Sequence, residues 1–226
     1  MDPSFIIILA FLLLFVSLTY KSQVSNVRRT WGEFAQEQGL RFVPQDLFTN
    51  PEISGEVDGR PVLLSVIKRG GKNKTTYTRA TTKTKHEMPL HFIVGQEDLF
   101  DAIGKAVGGQ DIQIGAHDLD RKLRFRGASE STVISLCEDD DLRSALKILI
   151  NSASYSKISG EEIIIEQRGL MTDSIDQLLA DAMHIAEALD AARIRPWQAV
   201  AQQLGLALSE RHKRLVLSGE HRGHTV

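Results

Sequence analysis

Hydrophobic and polar positions along the chain change period several times, and each change marks a predicted element. Phe5 to Val16 is an unbroken apolar run inside a longer segment, Pro3 to Tyr20, that holds no charged side chain. As a helix with about 1.5 Å rise per residue, that segment spans roughly 27 Å, near the lower limit for the hydrocarbon layer of a bilayer. A cleaved signal peptide needs a basic residue ahead of the run and a small-x-small site behind it. Only Asp2 precedes the run, and Val16-Ser17-Leu18 is a poor cleavage site. Residues 1–20 are therefore expected to form an uncleaved transmembrane anchor.

Beyond the anchor the pattern alternates between helical and strand periods. Asn26 to Gly39 reads as a helix with Val27, Trp31, Phe34 and Ala35 on one face and Gly39 placed to end it. Glu52 to Val57 and Arg60 to Lys68 read as strands flanking Asp58-Gly59, a pair suited to the positive φ angles of a tight hairpin turn. A Gly-rich turn over Lys68 to Lys74 leads into the Thr-rich strand Thr75 to Thr84, and Leu90 to Val94 reads as a short buried strand. Gln96 to Val107 has helical spacing and stops at Gly108-Gly109.

The second half repeats the alternation. Lys122 to Arg126 reads as a strand, while Ser129 to Cys137 and Asp140 to Ser152 read as helices. Ile158 to Ile163 reads as a hairpin reaching into Ile164 and Ile165, and Thr172 to Ala192 carries seven apolar side chains at helical spacing. Hairpins outnumber strand-helix-strand units. The predicted class is α+β, with the transmembrane helix followed by a mainly antiparallel sheet and packed helices.

Two stretches of the chain resemble each other. Trp31 to Leu40 matches Trp197 to Leu206 at Trp31/Trp197, Ala35/Ala201, Gln36/Gln202, Gly39/Gly205 and Leu40/Leu206. Ser54 to Val62 then matches Ser218 to Val226 at its Ser, Gly, Glu, Gly and Val positions, with the offset changing from 166 (197 minus 31) to 164 (218 minus 54). Both tryptophans of the chain sit in this pattern. The repeat predicts an opening unit used twice, a helix with Trp and Ala packed inward, a Gly stop and a hairpin. The expected organisation is an anchor at 1–20, an α+β domain at 21–192 and an incomplete second copy of its opening helix and hairpin at 193–226. One reading of the short second copy is a truncated product without independent function.

Composition narrows the function classes. The 226 residues carry 27 basic and 29 acidic side chains, a formal charge of -2, with 42% hydrophobic and 25% charged. This is ordinary globular composition, and it disfavours both a strongly basic nucleic-acid binder and a disordered acidic tail. The lone thiol, Cys137, rules out an internal disulfide framework and suits a reducing compartment. Its acidic neighbours are expected to raise its pKa, away from a reactive thiolate. Lys21, Arg28 and Arg29 follow the apolar run closely, so the positive-inside rule puts the bulk of the chain in the cytoplasm, below the inner membrane.

The membrane segment, the Trp-x-x-x-Ala-x-x-x-Gly-Leu helix, the Gly hairpin and the stretch Asp111 to Gly127 together resemble a family of uncharacterised bacterial single-pass membrane-anchored proteins. Those commonly read Gly-Asp-x-x-Phe-Asp-x-x-Phe-x-Val before a Gly. Gly115, Asp118, Asp120 and Phe125 preserve part of this, while Ala116-His117 and Leu119 depart from it. The resemblance spans roughly residues 1 to 192 and implies a location and a domain boundary, with no activity.

Candidate chemistry is sparse. Asp111, His117, Asp118 and Asp120 form the densest acid and histidine cluster, from which a general base or a hard-cation site could be built. Asp118 or Asp120 is better placed to cap a short helical turn. Glu138 to Asp141 lacks the ligand spacing of a calcium loop and reads as a helix start. His212, His221 and His224 read as a solvated hairpin. No phosphate loop, dinucleotide fingerprint or nucleophile elbow occurs, so neither cofactor nor metal is implied.

The strongest local bias is basic: Lys68, Arg69, Lys72, Lys74, Arg79, Lys83 and Lys85, with no acid between them. On a hairpin beside a membrane these would meet anionic headgroups, at about 1 kcal/mol per near-surface charge. The competing reading is an edge strand guarded against aggregation by its lysines. Tyr77 is the only aromatic in the stretch, which disfavours nucleic acid. The sequence thus predicts a membrane-tethered, non-catalytic binding or scaffolding module, its partners the bilayer and either anionic headgroups or a protein. An enzyme using Asp111 to Asp120 is the alternative.

Overall fold

The computed structural model describes residues 24–46, 49–70, 74–96, 111–151, 155–211, 214–221 and 224–225. The anchor expected at 1–20 lies outside the described residues, as do 97–107 of the helix expected after Gln96. Among the described residues, no helix is long and apolar enough to cross a membrane.

The chain is α+β. Helix α1 covers 24–37. Strands β1 (Arg41–Val43), β2 (Glu52–Val57), β3 (Arg60–Arg69), β4 (Thr75–Lys83) and β5 (Ile93–Gln96) follow, then the single turn α2 (His117–Asp120) and β6 (Leu123–Arg126). Helices α3 (Glu130–Leu136) and α4 (Asp140–Asn151), strands β7 (Lys157–Ser159) and β8 (Glu162–Arg168), and the long helix α5 (Ile175–Leu204) complete the main body. β9 (Ala207–Arg211), β10 (Arg214–Ser218), β11 (Glu220–His221) and β12 (His224–Thr225) form two small hairpins. The large sheet has eight strands in the order β1-β2-β3-β4-β8-β7-β5-β6, every neighbouring pair antiparallel.

Local chemistry explains the turns. Asp58 and Gly59 have φ of 50° and 72°, the left-handed pair that a two-residue hairpin between right-twisted strands requires. Ser129 accepts from the Thr132 N–H to cap α3, and Asp139 Oδ1 accepts from the Leu142 N–H at 3.0 Å to open α4, so the acidic run is a helix start as expected.

One face of the sheet packs against the helices. Ile53, Leu64, Ala80, Ile163 and Ile165 alternate along their strands onto that face, where they meet Trp31 of α1, Leu146 and Leu149 of α4 and Leu179, Ile185 and Leu189 of α5 in one continuous core. α1 is fixed by the Trp31 Nε1–H, which donates to the Met171 carbonyl at 2.9 Å.

Three expected elements shift. Leu90 to Val94 is a strand only in its buried second half: the Phe92 N–H donates to the Pro89 carbonyl at 3.0 Å and His91 takes φ 58°, so a turn fills the first half and leaves Leu90 69% exposed. Strand pairing begins only at Ile93, and Gln96 ends β5 instead of opening a helix. α5 does not stop at Ala192 but runs unbroken to Leu204, with Pro196 inside it. Pro196 and its neighbours Arg195 and Trp197 are exposed.

The two stretches that match in sequence also match in local geometry. Gly39 and Gly205 end their helices at φ of 66° and 65°. The Leu40 N–H donates to the Ala35 carbonyl at 2.7 Å, as the Leu206 N–H does to Ala201 at 2.8 Å, the six-to-one bond of a Schellman motif. Arg41 pairs with Ser54 and Phe42 with Ile53; at the same offsets Ala207 pairs with Ser218 and Leu208 with Leu217. Glu56 opposite Pro61 and Val57 opposite Arg60 recur as Glu220 opposite Thr225 and His221 opposite His224. A Cβ on Gly55 would fall 2.6 Å from Leu40 Cδ2, and one on Gly219 3.0 Å from Leu206 Cδ2. Burial differs: Trp31 is fully buried, whereas Trp197, expected to pack inward, is 37% exposed.

Candidate functional site

The basic stretch is carried by β3, the following turn and β4. A strand sends successive side chains to opposite faces, so the cations carried by β3 and β4 do not all share one face. Arg69 and Arg79 lie on the face away from the helices, joined by Glu166 of β8. Lys83 shares their strand parity with Arg79 but sits at the far end of β4, and exposed Lys85 follows it. Lys68 and Lys74 are exposed around the β3–β4 turn, and Lys72 lies outside the described residues. The competing edge-strand reading fails on topology. β4 lies between β3 and β8, and the sheet edges are β1 and β6.

Glu166 is the residue that the sequence reading missed. Its side chain is fully buried, and its Oε1 accepts from Arg69 Nη2 at 2.8 Å and Arg79 Nε at 2.7 Å. Arg69 in turn stacks over the Tyr155 ring, 3.4 Å from its centroid. Two of the seven cations are thus already matched by a carboxylate and lie flat on the sheet. The available signal was an acid at the end of an isoleucine run, facing an arginine one strand away.

A second buried pair ties the sheet to α5. Arg60, at the mouth of the β2–β3 turn, pairs with Asp190, whose carboxylate also accepts from the Lys85 and His86 N–H groups at 3.0 Å each. An acid inside the apolar stripe of a helix was the sequence signal for it.

The cluster at Asp111 to Asp120 is dispersed. Asp111 pairs with Arg124 and Arg126 at 3.4 and 3.3 Å. Asp118 contacts Lys147 at 3.3 Å, and the hydrogen bond from that ammonium holds its carboxyl below the usual carboxylate range. Asp120 Oδ1 accepts from the Ile114 N–H at 2.9 Å. Neither aspartate caps α2, whose N-cap is Ala116. The three carboxylates are engaged by four different partners: two arginines, a lysine and a backbone N–H. Among the described residues, no group of three or more acid, His or Cys side chains is arranged to hold a metal.

Cys137 is buried, and burial pushes its thiol up to about 12. The direction is the one expected, but desolvation is the main cause and the acid that contributes is Asp120, distant in sequence.

A cleft of about 280 Å³ lies between α3 and α5, where Leu136, Pro196 and Trp197 line it beside Arg193. Comparison of the chain with protein-family models, with curated proteins and with solved structures returns no match.

Proposed function

We propose that the chain is a membrane-tethered, non-catalytic binding or scaffolding module whose sheet meets anionic headgroups at the end carrying the β3–β4 turn. The anchor is the apolar run at 1–20, the body is cytoplasmic, and residues 193–226 are a second copy of the opening unit.

The supporting observation is the heading of α1. Its C-terminal end lies at Gly55, which pairs with Val62, itself opposite Thr82. Eight or nine residues back, the Trp31 indole reaches Met171, whose N–H donates to Thr78 Oγ1. Moving towards its N-terminus, the helix therefore descends β4 from Thr82 towards Thr75. The seven residues from Trp31 to Val24 add about 10 Å of helix, and the three from Thr78 to Thr75 about 10 Å of strand. Residue 24, the first described residue of α1, is thus level with the β3–β4 turn. Exposed Lys68, Lys74, Arg28, Arg29 and Arg168 gather at that end, offset in part by Asp173 and Asp176.

Flotation of residues 21–226 with vesicles tests the contact. Recovery should be higher with phosphatidylglycerol than with phosphatidylcholine vesicles and should fall in the Lys68→Glu/Lys74→Glu double variant. Equal recovery on both lipids removes the headgroup contact. A mature chain beginning after Tyr20 and free in the periplasm removes the anchor and the orientation together.

A further inference from the structure

The end of the single turn α2 carries two adjacent cations. Arg121 is its C-cap residue, and Lys122 leads into β6. α2 lies against α4, whose buried stripe, Leu142, Ala145, Leu146 and Leu149, belongs to the core. Lys147, Ile150 and Asn151 stand beside that stripe at positions i, i+3 and i+4, which share one side of a helix. Together with Asp118, Arg121 and Lys122 they line a cleft of about 210 Å³.

The charges in this lining are unequal. Three cations, Arg121, Lys122 and Lys147, stand against one carboxylate, Asp118. Asp118 contacts Lys147 at 3.3 Å, so the pair neutralises itself and leaves a surplus of two positive charges on exposed Arg121 and Lys122. Asp120, next to Arg121 in the chain, is engaged by the Ile114 N–H at 2.9 Å. An ammonium has three donors and a guanidinium five, so donors remain on Lys147 after the Asp118 contact. The Asn151 amide adds a neutral donor and Ile150 an apolar wall.

We propose that this cleft binds a phosphate group, either as the free ion or at the end of a small phosphate monoester. Two surplus positive charges match a group that carries about -1.5 to -2 near neutral pH. The planar fork of Arg121 suits two phosphate oxygens at once, where an ammonium acts as a point charge. A monocarboxylate would leave one of the two cations unmatched. At about 210 Å³ the space is smaller than the roughly 300–1,000 Å³ of sites for larger ligands, so what accompanies the phosphate is short and lies on Ile150. The cleft shares no residue with the β3–β4 turn and stands independently of any lipid contact.

Amide spectra of the full chain in dodecyl maltoside, a phosphate-free detergent, test the site at neutral pH and fixed ionic strength. Inorganic phosphate and glycerol 3-phosphate should each shift the Lys122 N–H and the Asn151 side-chain amide saturably, and sodium chloride should not. In the Arg121→Gln/Lys122→Gln double variant, two exposed changes that remove the surplus charges, the apparent dissociation constant should rise about tenfold. The Lys68→Glu/Lys74→Glu variant should leave it unchanged. Binding of the ester at least as tight as that of the free ion assigns the cleft to an organic phosphate, and weaker binding assigns it to inorganic phosphate. Shifts that do not saturate, that chloride reproduces, or that persist unchanged in the Arg121→Gln/Lys122→Gln variant overturn the site.

Discussion

Residues 31–61 and 197–225 form the same local structure under different cover. Both end a helix on a left-handed glycine, turn back through a leucine that lies against a second glycine, and pair their strands in the same register. The first unit is sealed: α5 and the Met171 loop lie on it, and Trp31 is fully buried. The second meets the end of α5 and His86, and Trp197 and Val200 stay 37% and 42% exposed. Identical capping with unequal burial shows that the motif is encoded within about thirty residues, whereas its stability comes from what packs on it.

The largest test of that contrast is the tryptophan pair. Trp31→Ala removes a fully buried indole and its bond to Met171, and should lower the unfolding free energy by about 3–5 kcal/mol; Trp197→Ala should change it by no more than about 0.5 kcal/mol. Chemical denaturation of both variants decides this, and equal losses would mean that the second unit is as well covered as the first.

A smaller difference is expected at the glycines that receive a leucine. The Cβ of Gly55→Ala would press to 2.6 Å on Leu40, inside a packed core, and should cost about 1–3 kcal/mol. At Gly219 the approach is 3.0 Å to a half-buried Leu206 that has room to move, so Gly219→Ala should cost less. A larger loss at Gly219 would reverse the ranking.

The smallest effect at neutral pH, and the most specific, belongs to Cys137. Its folded value is raised from 9.0 to about 12, so the unfolded chain loses its thiol proton first. The stabilisation is complete below pH 9.0 and drains away between 9.0 and about 12. Cys137→Ala should flatten that alkaline slope. The same thiol reports on the contrast between the units: at pH 8 a thiol reagent should label it faster in Trp31→Ala than in the native chain, and at the native rate in Trp197→Ala.

Much of the fold was legible because local physics dictated it. The paired positive φ angles of Asp58-Gly59, the acidic start of α4 and the repeated Trp-x-x-x-Ala-x-x-x-Gly-Leu unit each specify structure within a few residues. Where a competing local interaction existed, the reading slipped. The Pro89–Phe92 turn took residues assigned to a strand, and Asp120 turned back to the Ile114 N–H instead of capping α2. The candidate site was legible as a run of charge and not as a surface, because strand alternation and a carboxylate 87 positions along the chain from Arg79 divide it.

By itself, the sequence determined the α+β class, the hairpin turns and the repeated helix-and-hairpin pattern, all of which depend on side chains close together in the chain. Tertiary structure alone decided that β4 lies inside the sheet, that Glu166 binds two of the seven cations, that Arg60 meets Asp190, and that one tryptophan is sealed while its counterpart is not. Each of these depends on which distant segment arrives at a given face. Arrival is set by the total burial of the whole chain rather than by the preference of any one segment.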